Sequence, residues 1–119
     1  MAIEWSYEEG LVIFHLMGKL TKPELDTCQA EAEATIQQGN TKILCIATDF
    51  DGWETDSGDW SDLSFGERND EFIQKLAIVC AEKWRVEAAM FTLKDLRDFP
   101  IEHFTEGQES LARAWLLSD

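Results

Sequence analysis

The chain has 119 residues, enough for a single domain spanning 1–119. Ten Lys and Arg stand against 24 Asp and Glu, a net charge of −14, which excludes the basic surface that a nucleic-acid binder needs and works against electrostatic adhesion to anionic lipid. A hydrophobic content of 45% excludes a disordered chain, and no apolar run approaches the roughly 18 residues of a membrane-crossing helix.

Ile3, Trp5 and Tyr7 alternate with polar residues, as in a half-buried strand. Glu8-Glu9-Gly10 reads as a tight turn, and Leu11–Met17 is apolar on both faces, so the first two strands form a hairpin. A helix starts at Thr21-Lys-Pro-Glu24: Thr21 is placed to cap, Glu24 sits three residues on as in a capping box, and Pro23 suits the first turn. Leu25, Cys28, Ala32 and Ile36 give it an apolar stripe, and Gly39-Asn40 ends it.

Ile43–Ala47 reads as a short buried strand, followed by a polar connection from Asp49 to Gly58. A second helix is expected over Asp59–Asp70, with Trp60, Leu63 and Glu67 on one face. Leu76–Cys80 is another buried strand, and Lys83–Leu96 a third helix with Trp84, Ala88 and Phe91 on one side. Phe99-Pro100 breaks it. Ile101–Phe104 is a short strand that Pro100 assigns to a sheet edge, and Glu109–Leu117 a terminal helix with Leu111 and Trp115 aligned. The order β-β-α-β-α-β-α-β-α describes an α/β domain: a mixed sheet of four to five strands with about four helices. Ligand sites in such sheets lie beyond the carboxyl ends of the parallel strands, which directs attention to residues 49–66 and 81–84.

The aromatic residues concentrate there. Phe50, Trp53, Trp60 and Phe65 fall around one loop and the start of the second helix, with Trp84 near the same sheet end. Core packing explains each of them singly; together they point to a pocket or an apolar surface that takes a small apolar or lipid-like ligand. Between Asp51 and Glu71 there are eight acids and one base, Arg68, which makes an acidic rim or a solvated acidic face.

Other chemistries are weighed against the same residues. A hydrophobic strand ending in Asp49-x-Asp51-Gly52 resembles the opening of haloacid-dehalogenase-type phosphatases, with Asp49 as nucleophile and Asp51 as general acid beside magnesium. Trp53 replaces the usual Thr or Val, and neither a later loop lysine nor an acidic metal-binding pair is evident. A calcium loop starting at Asp49 would need Glu at its twelfth position, which is Trp60. His15 and His103 have no ligand-spaced partners, and neither a nucleophilic-hydrolase motif nor a glycine-rich phosphate loop is present. The reading is therefore non-enzymatic, with no metal and no cofactor. Three cysteines, with Cys45 and Cys80 inside apolar runs, read as buried free thiols in a reducing compartment; an acidic N-terminus without a signal-peptide core agrees with a cytoplasmic location.

Phe50-x-Gly-Trp53, then Trp60-x-Asp62-x-x-Phe65, then Leu76-Ala-Ile-Val79 with Trp84, resembles the SpoIIAA-like (STAS-like) family, small bacterial proteins similar in fold to anti-sigma-factor antagonists. Gly18-Lys-Leu-Thr21 and Ala112-Arg-Ala-Trp-Leu116 extend the resemblance over almost the whole chain. It implies a mixed sheet with four helices, and either an apolar ligand or a peripheral membrane contact made through movable amphipathic helices. Two positions depart from the pattern: Asn69 replaces the family's usual His, and Ala81-Glu82 its Gly-Asp. True antagonists are phosphorylated on a Ser at the start of the second helix. Asp56-Ser57-Gly58 occupies a similar place, so a partner-switch module phosphorylated at Ser57 and bound to a regulatory protein is the alternative. An exposed sheet edge also makes a homodimer an expected assembly.

Overall fold

The structure is a computed structural model that describes residues 2–60, 64–92 and 97–118. Five strands form one sheet in sequence order. β1 (Ile3–Glu8) pairs antiparallel with β2 (Leu11–Leu20) through a two-residue turn in which Glu9 and Gly10 take φ of 54° and 82°. Two positive φ angles match the twist of the flanking strands, and glycine reaches the second at no steric cost. β3 (Thr41–Trp53), β4 (Ile73–Cys80) and β5 (Ile101–Phe104) follow, each parallel to its predecessor. The expected α/β fold with a mixed sheet and four helices is the one observed.

Parallel neighbours need crossovers, and crossovers of one hand that advance in one direction all fall on one face of the sheet. α1 (Lys22–Ile36), α2 (Ser64–Asn69) and α3 (Arg85–Thr92) are those crossovers. Cys28, Ala32 and Ile36 of α1 pack with Val12, Phe14, Ile43 and Leu76, while Ala88 of α3 meets Ala47 and Cys80. α4 (Glu109–Leu117) covers the opposite face, where Ala112 and Leu116 close on Leu11, Ile13, Leu44, Ile46, Ala77 and Val79. The alignment expected of Leu111 and Trp115 is corrected here. Leu111 is 56% exposed, and the buried ridge is Ala112 and Leu116, because a small residue brings the helix close to the sheet. Trp115 is half-buried against Phe104, with the Lys75 ammonium 4.9 Å from its ring centre.

The helix start at Thr21 is capped as expected, but Glu24 is used differently from a standard capping box. Thr21 Oγ1 accepts from Glu24 N at 3.4 Å and donates to Glu24 Oε1 at 2.8 Å, while Glu24 Oε2 accepts from Ala2 N at 2.9 Å. One carboxylate thus ties the helix start to the chain segment leading into β1, and these bonds hold its pKa below the ordinary value of 4.5.

Two further expectations change. β3 does not stop at Ala47. It continues to Trp53 beside a lengthened β2, with register shifts between His15 and Met17 and between Gly18 and Leu20. Beyond the sheet's centre the ribbon has one wet side, so double-sided apolarity gives way to alternation: Asp49 and Asp51 are exposed, while Phe50 and Trp53 are half-buried. The second helix is shorter than Asp59–Asp70. Asp59 and Trp60 are not helical, because Trp60 Nε1 donates to Glu54 O at 2.9 Å and turns the segment back onto the end of β3. Asp70–Phe72 forms a 3-10 turn after α2, and Glu82–Trp84 another before α3. Leu63, the side chain of Phe91 and the expected helix end at Leu96 lie outside the described residues.

Polar ties fasten α2 to α1. Asn69 is fully buried; its Nδ2 donates to Glu33 Oε2 at 2.7 Å and to Phe65 O at 2.9 Å, and its Oδ1 accepts from Gln37 Nε2 at 3.1 Å. Arg68 Nε also donates to Glu33 Oε2, at 3.0 Å. These bonds, Asn69's first, lower the pKa of Glu33 from its ordinary 4.5. Asn69→Ala is expected to cost about 1–3 kcal/mol in denaturant unfolding, since it strands several partners at a buried junction. The contribution of the lowered Glu24 and Glu33 is complete above their unfolded value of 4.5 and is lost as pH falls through the lower folded values. Stability should therefore drop below about pH 4.5, and Asn69→Ala should make that acid limb shallower. An unchanged limb would contradict the coupling of Asn69 to Glu33.

Candidate functional site

The three crossover helices do not close over the whole sheet face. Between them and the sheet lies a partly open cavity of about 180 Å³. Its floor is the middle of the sheet. Leu16 of β2, Cys45 of β3 and Ile78 of β4 line it, and each retains accessible surface although Phe14, Ile43, Ala47, Leu76 and Cys80 beside them are buried. α1 contributes Leu25 and Gln29, α2 contributes Phe65, and the α3 side contributes Trp84, Glu87, Ala88 and Thr92. Most of this surface is hydrocarbon, aromatic or sulfur.

Aromatic residues wall one end. Phe50 and Trp53 stack at 6.5 Å with an interplanar angle of 9°, and Trp84 meets Phe50 edge-on at 5.2 Å and Trp53 at 6.4 Å. The strand supplies the first two because residues 50 and 53 flank Gly52, whose φ of +100° turns the chain. A Cβ built at Gly52 would lie 3.7 Å from the far edge of the Trp84 ring, so the indole rests directly against this backbone. Trp84 is presented by the 3-10 turn that follows β4. The cluster therefore sits at the carboxyl end of the parallel strands, where the topology directs a ligand.

Of the five residues singled out in the sequence, Phe50, Phe65 and Trp84 line the cavity. Trp53 supports Phe50 from behind, and Trp60 packs half-buried against the main core with its indole bonded to Glu54 O. The sheet floor was not anticipated. Leu16, Cys45 and Ile78 lie in plain apolar strand runs, and nothing in such a run marks an unfilled space above it. Glu87 was also overlooked, although an acid three residues after Trp84 and next to Ala88 falls on the inward arc of that helix.

A charged clasp holds the rim. Arg97 Nε donates to Asp70 Oδ2 at 3.0 Å, its Nη2 bonds Asp70 Oδ1, and its Nη1 donates to Thr92 O at 3.3 Å. The guanidinium also lies 4.6 Å from the centre of the Phe99 ring. It joins the exit of α2 to the end of α3, the two shortest helices over the cavity.

The three cysteines are free thiols. Burial pushes Cys45 up to about 12, and Cys28 and Cys80 each to about 11. At neutral pH they are protonated and poorly nucleophilic. Cys80 Sγ lies 3.2 Å from His103 Nε2, and burial lowers the pKa of that imidazole, so neither group is activated by charge.

Ser57 lies in the turn after β3, with at least Asp59 and Trp60 between it and α2, so it is not at that helix's first residue as expected. Its Oγ accepts from Lys22 N at 2.9 Å and donates to Glu54 O at 2.7 Å. A Cβ at Gly58 would come within 2.8 Å of Lys22, which shows how closely this turn seats on α1. Asp49 and Asp51 project to solvent from the same side of the ribbon. Among the described residues, no group of three His, Cys, Asp or Glu side chains could hold a metal ion. No described helix is long and apolar enough to cross a membrane.

Comparison with known proteins agrees with the architecture. A crystal structure of an uncharacterized protein of the DUF3478 family with a SpoIIAA-like fold, from Shewanella loihica PV-4, superposes with a TM-score of 0.70. It shares 19% identity, and the match covers 97% of this chain and 92% of that one. No curated protein matches. The family model described as SpoIIAA-like matches residues 11–117, and the chain belongs to the SpoIIAA-like family.

Proposed function

We propose that the protein is a non-enzymatic binding domain that holds a small apolar or amphipathic molecule between the sheet and its three crossover helices. The cavity carries this reading. A dry apolar space of about 150 Å³ in a protein core admits benzene, and the partly open space here is about 180 Å³ with a mostly apolar lining. It suits one ring or a short alkyl chain. Phe50, backed by Trp53 and met edge-on by Trp84, gives a flat wall against which such a group gains dispersion contact. The raised thiol pKa values support the non-enzymatic part, since neither Cys45 nor Cys80 is poised as a nucleophile inside the cavity. The three free cysteines also fit a thiol-preserving compartment such as the cytoplasm.

The partner-switch alternative draws less support. A phosphoryl group on Ser57 would break the bond donated to Glu54 O and would crowd the start of α1. Glu54 beside it would also repel the added charge.

Benzene titration followed by tryptophan fluorescence and thermal unfolding tests the proposal, because binding to the native state alone raises the midpoint. Cys45→Leu is expected to fill the floor, to stabilise the protein by about 0.5–2 kcal/mol and to abolish the benzene response. A variant that binds benzene as well as the natural protein does would remove the cavity from consideration.

A further inference from the structure

Among the described residues, two buried side-chain polar atoms have no hydrogen-bond partner, Trp84 Nε1 and Glu87 Oε2. Both residues line the cavity. They are three positions apart across the junction of the 3-10 turn and α3, a spacing that makes side chains neighbours on one helix face. Leaving such atoms unpaired in a packed interior is costly, and native proteins do it rarely. The nearby polar groups are occupied elsewhere: Arg97 on Asp70 and Thr92 O, the Thr92 hydroxyl on Ala88 O, and Arg85 on Glu82. A mostly apolar cavity, lined also by Gln29, Thr92 and Arg97, thus carries one unpaired donor beside one unpaired acceptor.

That pairing is selective. Trp84 Nε1 only donates, and an ionised Glu87 only accepts. A carboxylate ligand would accept from the indole but would meet Glu87 as a like charge. An ammonium would pair with Glu87 but has no lone pair for the indole, and its charge would have to leave water for an apolar space. A hydroxyl donates once and accepts twice, so it serves both atoms without burying a second charge.

Resting on the binding function proposed above, we propose that the ligand is a neutral alcohol or phenol whose hydroxyl donates to Glu87 Oε2 and accepts from Trp84 Nε1, with its ring or short chain in the cavity. Trp84 and Glu87 then determine head-group specificity, while Phe50, Phe65 and Ile78 take the apolar body.

Four compounds sharing one ring separate this proposal from the simpler one: benzene, benzyl alcohol, benzoate and benzylammonium, each titrated into the whole chain. Benzyl alcohol should bind at least about tenfold more tightly than benzoate or benzylammonium, and should shift the Trp84 indole N–H resonance downfield. Glu87→Gln should narrow the gap between benzyl alcohol and benzoate to less than about threefold, and Trp84→Phe should weaken benzyl alcohol severalfold. Both variants should keep a single cooperative unfolding transition, which verifies that they fold. Benzoate or benzylammonium binding as tightly as benzyl alcohol, or a gap that survives Glu87→Gln, overturns the head-group assignment while benzene binding leaves the cavity reading intact. If none of the four binds, the cavity reading itself fails, and the assignment with it.

Discussion

The parallel register running from β2 through β5 governs the rest of the molecule. Because strand order follows chain order, the three crossovers share one face, and the other face would be bare without a further element after β5. α4 supplies it. The two faces then differ in kind. Over the α4 face a single helix with an Ala–Leu ridge closes on buried hydrocarbon from β2, β3 and β4. Over the other face, three helices of unequal length divide the cover. At 1.5 Å per residue, α1 spans about 22 Å, and among the described residues α2 and α3 span about 9 and 12 Å. The cavity lies beneath the shared cover of α1, α2 and α3.

Helices in a folded domain owe more to tertiary contacts than to propensity. α2 and α3 are held at their ends by directional bonds. Asn69 and Glu33 fix α2 to α1, and the Arg97–Asp70 clasp fixes its exit to the end of α3. Asn69 occupies the position at which the family resemblance leads one to expect His. An amide that donates twice and accepts once meets all three of its neighbours here without a proton to gain or lose. Those bonds make the junction structural, and they leave acid sensitivity to the glutamate that Asn69 contacts.

Most of the fold was legible because its signals are local. The Glu9-Gly10 turn, the Thr21 cap, the Pro100 break and the apolar runs of β2 to β5 each announce themselves within a few residues. The aromatic wall was legible too, since Phe50 and Trp53 bracket a glycine just beyond a buried strand and Trp84 follows the next strand at the same sheet end. What could not be read was long-range. The extension of β3 depends on a lengthened β2 beside it, and the retreat of α2 depends on an indole bonding back to Glu54 O. The cavity floor is harder still: Cys45 and Ile78 differ from their buried neighbours only in what fails to cover them.

This division of labour bears on how an open space survives in so small a domain. A cavity forfeits the contacts its lining would otherwise make, and the loss grows with its volume. Here the α4 face and the bonds from Arg68 and Asn69 to Glu33 supply cohesion that does not pass through the cavity lining. Side chains above the sheet floor are thereby relieved of much of the duty of holding the fold. They can remain apart, and Trp84 and Glu87 can keep unpaired polar atoms between them. A domain in which stability and vacancy occupy opposite faces of one sheet can change its lining, and hence its ligand, without rebuilding its core.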